Sequence, residues 1–190
     1  MGLLLAAGSL YLLKVYGNAG DLAAALLTAS LFLAAGFYGG YVFLRGNSWK
    51  ALAIALPLGL LGHAALVGLF VPGLDPLLIS RRTEALLARA SLLPSQGIVP
   101  GPIAVAGYAE PSLVFGLGTA TDLGGAPEAA RALAEHRAAV VEDREQPAFQ
   151  AAAKSLKLSL HPVGEVRGLN YSNGDETRLT LYAPAREALP

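Results

Sequence analysis

Two short groups of polar residues in the second half of the chain have the chemistry needed to hold a phosphate. Arg81 and Arg82 are adjacent, and Tyr108, Glu110 and Ser112 surround a proline that follows a short apolar run. An arginine guanidinium can donate two parallel hydrogen bonds to a phosphate, and the backbone N–H groups at the start of a helix favour an anion. The two arginines and Ser112 are therefore candidate anion-binding residues.

Both groups have a second interpretation. The proline at position 111 is predicted to start a helix beyond a strand, so that N–H groups near Ser112 face an anion. Alternatively, Glu110 and Ser112 only cap that helix, while Leu113 and Phe115 fill the core. For the arginines, the alternative to a substrate contact is a contact with lipid headgroups at a membrane surface.

The rest of the sequence excludes several classes of chemistry. There is no cysteine, which rules out disulfides, thiolate catalysis and cysteine metal sites. The three histidines are isolated from one another, no serine lies in a Gly-x-Ser-x-Gly elbow, and no glycine-rich phosphate loop is present. We therefore assign no catalytic residue, metal ligand or cofactor. The net charge of zero also argues against a general nucleic-acid interface.

The first part of the chain is predicted to lie in a membrane. Residues 22–44 contain no charged side chain, and residues 51–74 contain one histidine as their only titratable group. At about 1.5 Å per residue, either segment is long enough to cross a hydrocarbon core of about 30 Å. We expect three transmembrane helices, approximately at 3–16, 22–44 and 51–74, within a membrane unit at 1–74.

A small soluble domain is predicted to follow. Residues 75–93 mix leucines with arginines, as expected of an interfacial helix opened by an aspartate cap, and residues 94–102 form a linker rich in proline and glycine. Residues 103–190 alternate short apolar runs with amphipathic segments and contain Asn173-Gly174, a strong hairpin signal. They predict a small α/β domain with a mixed sheet.

The local pattern of this domain predicts particular elements. Strands are expected at 103–107, 138–141, 163–171 and 177–182, and helices at 111–117, 126–137 and after 143. We also expect an ion pair between Arg131 and Glu135, a capping box formed by Asp143 and Gln146, and a buried Leu156.

The orientation follows from two basic residues. Arg45 and Lys50 flank the second predicted turn, which places that turn in the cytoplasm. Residues 75–190 would then be extracytoplasmic.

Three stretches of the chain resemble a known family. These are residues 74–87, the run Gly-Tyr-Ala-Glu-Pro-Ser-Leu-Val-Phe at 107–115 with the strand before it, and residues 168–182. They are similar to the C-terminal third of bacterial lipid-carrier-dependent glycosyltransferases with the GT-C architecture, the aminoarabinose-transferase-like and protein-mannosyltransferase-like membrane enzymes.

The resemblance implies a multi-pass enzyme of the bacterial inner membrane, with a periplasmic C-terminal domain and a polyprenyl-phosphate-linked sugar as donor. It also implies the full set of candidate substrate-binding residues, which is Tyr108, Glu110, Ser112, Arg81 and Arg82. Its partners would be membrane lipid, the lipid-linked sugar and the N-terminal transmembrane helices of the full-length enzyme. In that family an acidic residue near the N-terminus serves catalysis, and nothing in residues 1–74 corresponds to its loop. We therefore expect this chain to be a C-terminal fragment, or a stand-alone remnant, that is inactive alone.

Two other classes stay open. The chain could be a non-enzymatic, membrane-anchored binding module whose α/β domain meets a partner. It could also belong to a transporter or channel, with His63 as the ionisable group inside a span. The alternative for His63 is a neutral imidazole that donates to a carbonyl one turn back or sits between helices.

Overall fold

The computed structural model describes residues 1–170 and 173–184. The chain divides into two compact units, Met1–Pro76 and Leu77–Pro190. Tyr171 and Ser172, which belong to the third stretch of the resemblance, lie outside the described residues.

The first unit consists of apolar helices: α1 (Gly2–Tyr16), α2 (Leu22–Leu44) and α3 (Ser48–Ala65). With their flanking turns, two helical stretches, Ala19–Leu44 and Ser48–Gly73, are 26 residues long and could cross a membrane. Only 28% and 17% of their most apolar windows are buried within the structure, so neither resembles the core helix of a soluble protein. The first helix has 15 residues, so two of the three expected transmembrane helices are long enough to cross a membrane.

Glycines bring these helices together at particular positions. A Cβ at Gly39 of α2 would lie 2.8 Å from the Cβ of Ala55 in α3, and one at Gly62 would lie 2.8 Å from the Phe32 ring. His63 Nδ1 is 2.9 Å from the carbonyl oxygen of Gly59, and its ring meets the Phe32 ring edge to face at 5.0 Å between centroids. The contact to a carbonyl one turn back matches the simpler interpretation of this histidine.

The turn between α1 and α2 lies beside the end of the second long helical stretch. The Asp21 carboxylate accepts a hydrogen bond from the Asn18 backbone N–H at 2.9 Å. It also lies so close to Gly73 that a side chain there would overlap it. The beginning of the first long stretch and the end of the second therefore lie on the same side of the first unit.

The second unit is built on a five-stranded mixed sheet, which confirms the predicted class of this domain. Its strands are β1 (Ala104–Ala106), β2 (Asp122–Gly124), β3 (Ala139–Glu142), β4 (His161–Asn170) and β5 (Asp175–Ala183). Their order is β2-β1-β3-β5-β4. The first three strands run parallel, and β5 and β4 are antiparallel additions. A bulge between Pro162 and Gly164 interrupts β4.

Helices cover both faces of the sheet. One face carries α4 (Ile79–Arg89) and α5 (Pro111–Leu117), whose Leu87 and Leu113 pack with Val105 and Val140. The other carries α6 (Ala126–Ala134) and α7 (Gln146–Ser155) over the alternate strand residues. The inner strands are buried on both faces, as parallel strands between helix layers must be.

Several local predictions for this domain are wrong. Arg131 pairs with Glu128 rather than Glu135, because Glu135 ends the helix and binds Arg137 instead. Asp143 accepts a hydrogen bond from the N–H of Arg144 and Gln146 donates to the Val141 carbonyl, so the predicted capping box is absent. Leu156 is 44% exposed, because α7 ends one residue earlier.

The segment after the first unit is also shorter as a helix than predicted. Asp75 opens a single 3-10 turn, Asp75–Leu77, and α4 begins only at Ile79.

Candidate functional site

A groove of about 200 Å³ runs between α4 and α5 in the second unit. It is lined by Leu77, Leu78, Ser80, Arg81, Glu84, Ser112, Phe115 and Gly116. The groove therefore joins a cation, two hydroxyls and a carboxylate to an apolar rim.

The amphipathic pattern of α4 directs its polar residues into the groove. Ile79, Thr83 and Leu87 recur every four residues and are buried against the sheet. Ser80 and Glu84 recur with the same spacing on the adjoining face and line the groove, as the helical period of 3.6 residues requires.

The short helix α5 supplies the opposite wall. A proline occupies its first turn, and the carbonyl of Glu110 accepts the Leu113 N–H at 3.0 Å. Leu113 is fully buried and anchors this helix on the sheet. A Cβ at Gly116 would lie 2.7 Å from Glu84 Oε2, so the glycine allows the glutamate to lie against α5.

The polar atoms of the groove converge from two distant parts of the chain. Ser80 Oγ lies 2.8 Å from Ser112 Oγ, a hydrogen bond in which either hydroxyl can donate. The Arg81 side chain is exposed, and it forms no ion pair with any residue in the described part of the chain. A guanidinium and two hydroxyls are groups that bind a phosphate oxygen, whereas the Glu84 carboxylate repels it.

The structure brings together two of the five predicted site residues and separates the other three. Arg81 and Ser112 share the groove. Arg82 donates from Nη1 to the carbonyl of Arg167 on β4 at 2.6 Å and so fastens α4 to the sheet. Tyr108 is 2% exposed within the core, and Glu110 is 7% exposed.

The alternative interpretation places both Leu113 and Phe115 in the core, and for Phe115 it is wrong. Its side chain is 91% exposed, whereas Leu113 is fully buried. Two residues apart on a helix differ by about 200°, so both cannot face the sheet. That periodicity was the available signal that Phe115 points outward.

A second polar group, missed from the sequence, lies at the carboxyl ends of β1 and β3. The Glu142 carboxylate is 2% exposed, and its Oε1 accepts hydrogen bonds from Thr177 Oγ1 at 2.6 Å and from Arg144 Nη2 at 2.6 Å. These bonds to Glu142 raise the pKa of the Arg144 guanidinium. Gly107 has φ +91°, and a Cβ there would meet Glu142 Oε2 at 2.6 Å. The bonds to Oε1 make this cluster a structural support for the strand ends.

The sheet domain also has a larger cavity, of about 590 Å³, beside the beginnings of β3 and β4. Its lining is largely apolar, with Leu92, Ile98 and Val99 among its residues, and includes the side chains of His136 and His161. None of the predicted site residues lies there.

Among the described residues, no group of three or more histidine, aspartate or glutamate side chains is placed to hold a metal ion. Comparisons of this chain with protein-family models, curated proteins and solved structures return no match. The functional argument therefore rests on the residues themselves.

Proposed function

We propose that this chain is the C-terminal, membrane-anchored portion of a GT-C glycosyltransferase of the bacterial inner membrane. The enzyme moves a sugar from a polyprenyl-phosphate carrier to an extracytoplasmic acceptor. In this proposal the long apolar helices lie in the bilayer, the sheet domain lies outside the cytoplasm, and the groove between α4 and α5 holds the phosphate of the carrier.

One observation carries the proposal. Arg81 and Ser112 belong to different stretches of the resemblance, 31 positions apart in the chain, and both line the same groove. Ser80 adds a hydroxyl that is hydrogen-bonded to Ser112. The guanidinium would neutralise the phosphate, and the two hydroxyls would donate to its oxygens.

In this proposal the groove stabilises the charge of the leaving phosphate. It does not supply the base that removes a proton from the molecule receiving the sugar. Transfer also needs a carboxylate base, which the resemblance locates on a large periplasmic loop near the N-terminus of the full-length enzyme. We therefore expect the chain alone to bind the carrier but to transfer no sugar. Robust transfer by residues 1–190 in proteoliposomes would contradict this division of roles.

Binding is the sharper test. The full chain is reconstituted in nanodiscs, polyprenyl phosphate is added, and bound lipid is measured by native mass spectrometry. A basic residue near a membrane surface contributes about 1 kcal/mol to binding an anionic lipid, so Arg81→Gln should weaken binding roughly five-fold. Arg89→Gln removes another exposed arginine of α4, one that does not line the groove, and should leave affinity unchanged.

Glu84 gives a test of opposite sign. Its carboxylate lies in the groove and opposes an anion, so Glu84→Gln should tighten polyprenyl-phosphate binding about two- to five-fold, because one like charge is removed. Equal effects of Arg81→Gln and Arg89→Gln, or weaker binding by Glu84→Gln, would show that the carrier phosphate does not occupy the groove.

A second candidate function is a non-enzymatic, membrane-anchored binding module. The 590 Å³ cavity favours it, because its apolar lining and two imidazoles suit a small ligand rather than a sugar carrier. Under this alternative, Val99→Trp fills the cavity and should abolish binding of the small ligand, whereas Arg81→Gln should leave that binding unchanged. The glycosyltransferase proposal expects Arg81→Gln to weaken binding of polyprenyl phosphate and Val99→Trp to leave that binding unchanged.

A further inference from the structure

Phe115 is the most exposed large apolar side chain of the described sheet domain. It is 91% exposed, compared with 68% for Ile98, 48% for Leu123 and 44% for Leu156. Its helix is held on the sheet by Leu113, so the outward direction of the Phe115 ring is set by a buried anchor on the same short helix.

The surroundings of Phe115 combine apolar side chains with an exposed guanidinium and one half-buried carboxylate, that of Glu84. Leu77 and Leu78 are half-buried and line the groove next to Phe115, and Arg81 adds an exposed guanidinium. An aromatic ring beside aliphatic side chains, with a cation at the rim, is the composition of a surface that dips into the headgroup layer of a membrane.

The covalent chain limits how far Leu77 can lie from the end of the second long apolar helix. Leu77 follows Gly73, the last residue of the second long apolar helix, by four positions. Four residues span at most about 14 Å even when fully extended. If that helix crosses a membrane, the apolar rim of the groove begins within about 14 Å of the helix end.

We propose that this face of the sheet domain, formed by Leu77, Leu78, Arg81 and Phe115, docks on the surface of the lipid bilayer. Phe115 inserts its ring at the boundary between headgroups and acyl chains, and Arg81 contacts lipid phosphates. The proposal requires the apolar helices to be in a bilayer, but it requires neither a sugar carrier nor transferase activity. Its occupant is ordinary anionic phospholipid.

The test uses tryptophan as a depth probe, because Trp49 is the only tryptophan of the chain. In a Trp49→Phe background, the full chain carries Phe115→Trp and is reconstituted in vesicles of phosphatidylcholine and phosphatidylglycerol at 3:1. Lipids brominated on their acyl chains then quench tryptophans that reach the hydrocarbon. We expect a blue-shifted emission and at least a two-fold loss of intensity for Phe115→Trp.

The matched control is Leu123→Trp in the same background, because Leu123 is also apolar and exposed but lines neither the groove nor the larger cavity. Its emission should stay red-shifted and lose less than a fifth of its intensity. The parent chain with Trp49 reports whether the helices have inserted, since Trp49 lies in the first turn of α3. Quenching of Trp49 with no quenching of Phe115→Trp, or with equal quenching of Leu123→Trp, overturns the docking proposal and leaves the glycosyltransferase proposal untouched.

A second variant tests the cation. Arg81→Gln combined with Phe115→Trp should shift the emission back towards the red in vesicles containing phosphatidylglycerol, and much less in pure phosphatidylcholine, because the attraction depends on anionic lipid. An equal shift in both lipids would remove Arg81 from the docking surface.

Discussion

Adjacent arginines on α4 have different surroundings because successive residues on a helix point about 100° apart. Arg82 reaches across to β4, where its guanidinium donates to the carbonyl of Arg167. Arg81 points into the groove and is exposed. Replacing Arg82 is therefore expected to loosen the packing of α4 on the sheet, whereas replacing Arg81 changes ligand or lipid binding.

Replacement by valine is expected to change the free energy of unfolding in opposite directions at two buried threonines of the sheet domain. Thr177 donates to the buried Glu142 carboxylate at 2.6 Å, and a hydrogen bond to a charged group contributes about 1.5–3 kcal/mol. Thr83 Oγ1 is buried without a hydrogen-bond partner among the described residues. Thr177→Val should lower the free energy of unfolding by about 2 kcal/mol, whereas Thr83→Val should raise it by about 1 kcal/mol.

The measurement is urea unfolding of the full chain in detergent micelles, followed by near-ultraviolet circular dichroism of the buried tyrosines. The two threonines control for each other, because both changes exchange a hydroxyl for a methyl of similar size. A loss of stability in Thr83→Val as large as that in Thr177→Val would contradict the hydrogen-bond assignment.

The Glu128 carboxylate is expected to stabilise the folded domain at neutral pH and to lose this contribution in acid. The backbone N–H groups of Glu128 itself and of Gly125 hydrogen-bond the carboxylate, and with Arg131 they lower its pKa below 4.5. A lowered folded-state pKa adds stability above the unfolded value, and that stability is lost as the pH falls through the folded-state pKa. The thermal midpoint of wild type should therefore exceed that of Glu128→Gln at pH 7, and the gap should shrink below pH 4.5.

Glu176→Gln is the control for this pH dependence, since Glu176 is exposed on β5 and forms no ion pair with a described residue. Its midpoint should follow that of wild type across the same pH range. A gap between wild type and Glu128→Gln that persists unchanged at pH 3 would show that the carboxylate charge does not stabilise α6.

At the scale of elements, the pairing of α2 and α3 depends on contacts at single glycines. A Cβ at Gly39 would lie 2.8 Å from Ala55, whereas one at Gly40 would meet nothing within 4 Å. Gly39→Leu should therefore push the helices apart and cost about 1–3 kcal/mol, as overpacking does. Gly40→Leu should be tolerated, because its side chain points away from α3. Unfolding by titration with sodium dodecyl sulfate in mixed micelles measures both, and equal losses would rule out this helix contact.

The sequence predicted the elements best where local chemistry decides them. The bounds of α5 were predicted correctly because a proline begins it and a glycine with φ +106° follows it. The strand β2 was missed because Asp122–Gly124 is three residues long and carries no apolar alternation. Its strand geometry comes from pairing with β1, which local sequence does not encode.

The candidate site was predictable only in part for the same reason. The residue types of Arg81 and Ser112 suggested phosphate binding, but their placement in one groove depends on how α4 and α5 pack on the sheet. Tyr108 carries a hydroxyl that could also bind a phosphate, yet the tertiary fold places it in the core. Burial of this kind depends on contacts between distant segments.

At the scale of the whole molecule, chain topology makes one orientation testable. The turn containing Asp21 lies beside Gly73, so Gly20 and the residues that follow Gly73 should be on one side of a membrane. Ser48, between the two long helical stretches, should be on the other. The chain has no cysteine, so Gly20→Cys, Ser48→Cys and Ser159→Cys can each be labelled without background.

A membrane-impermeant maleimide applied to intact spheroplasts should label Gly20→Cys and Ser159→Cys. Ser48→Cys should react only after permeabilisation, because Arg45 and Lys50 favour the cytoplasmic side. The opposite labelling pattern would place the sheet domain in the cytoplasm and contradict the proposed acceptor side.

The order of the strands has a consequence for how densely such molecules can be packed. The two outer strands are the three-residue β2 and the bulged β4, which carries Glu165 and Arg167. Short, kinked and charged margins are poor templates for hydrogen bonding to another sheet. Proteins tethered to a bilayer diffuse in two dimensions and collide side by side, so these margins should keep neighbouring copies from fusing into intermolecular β-structure even at high surface density.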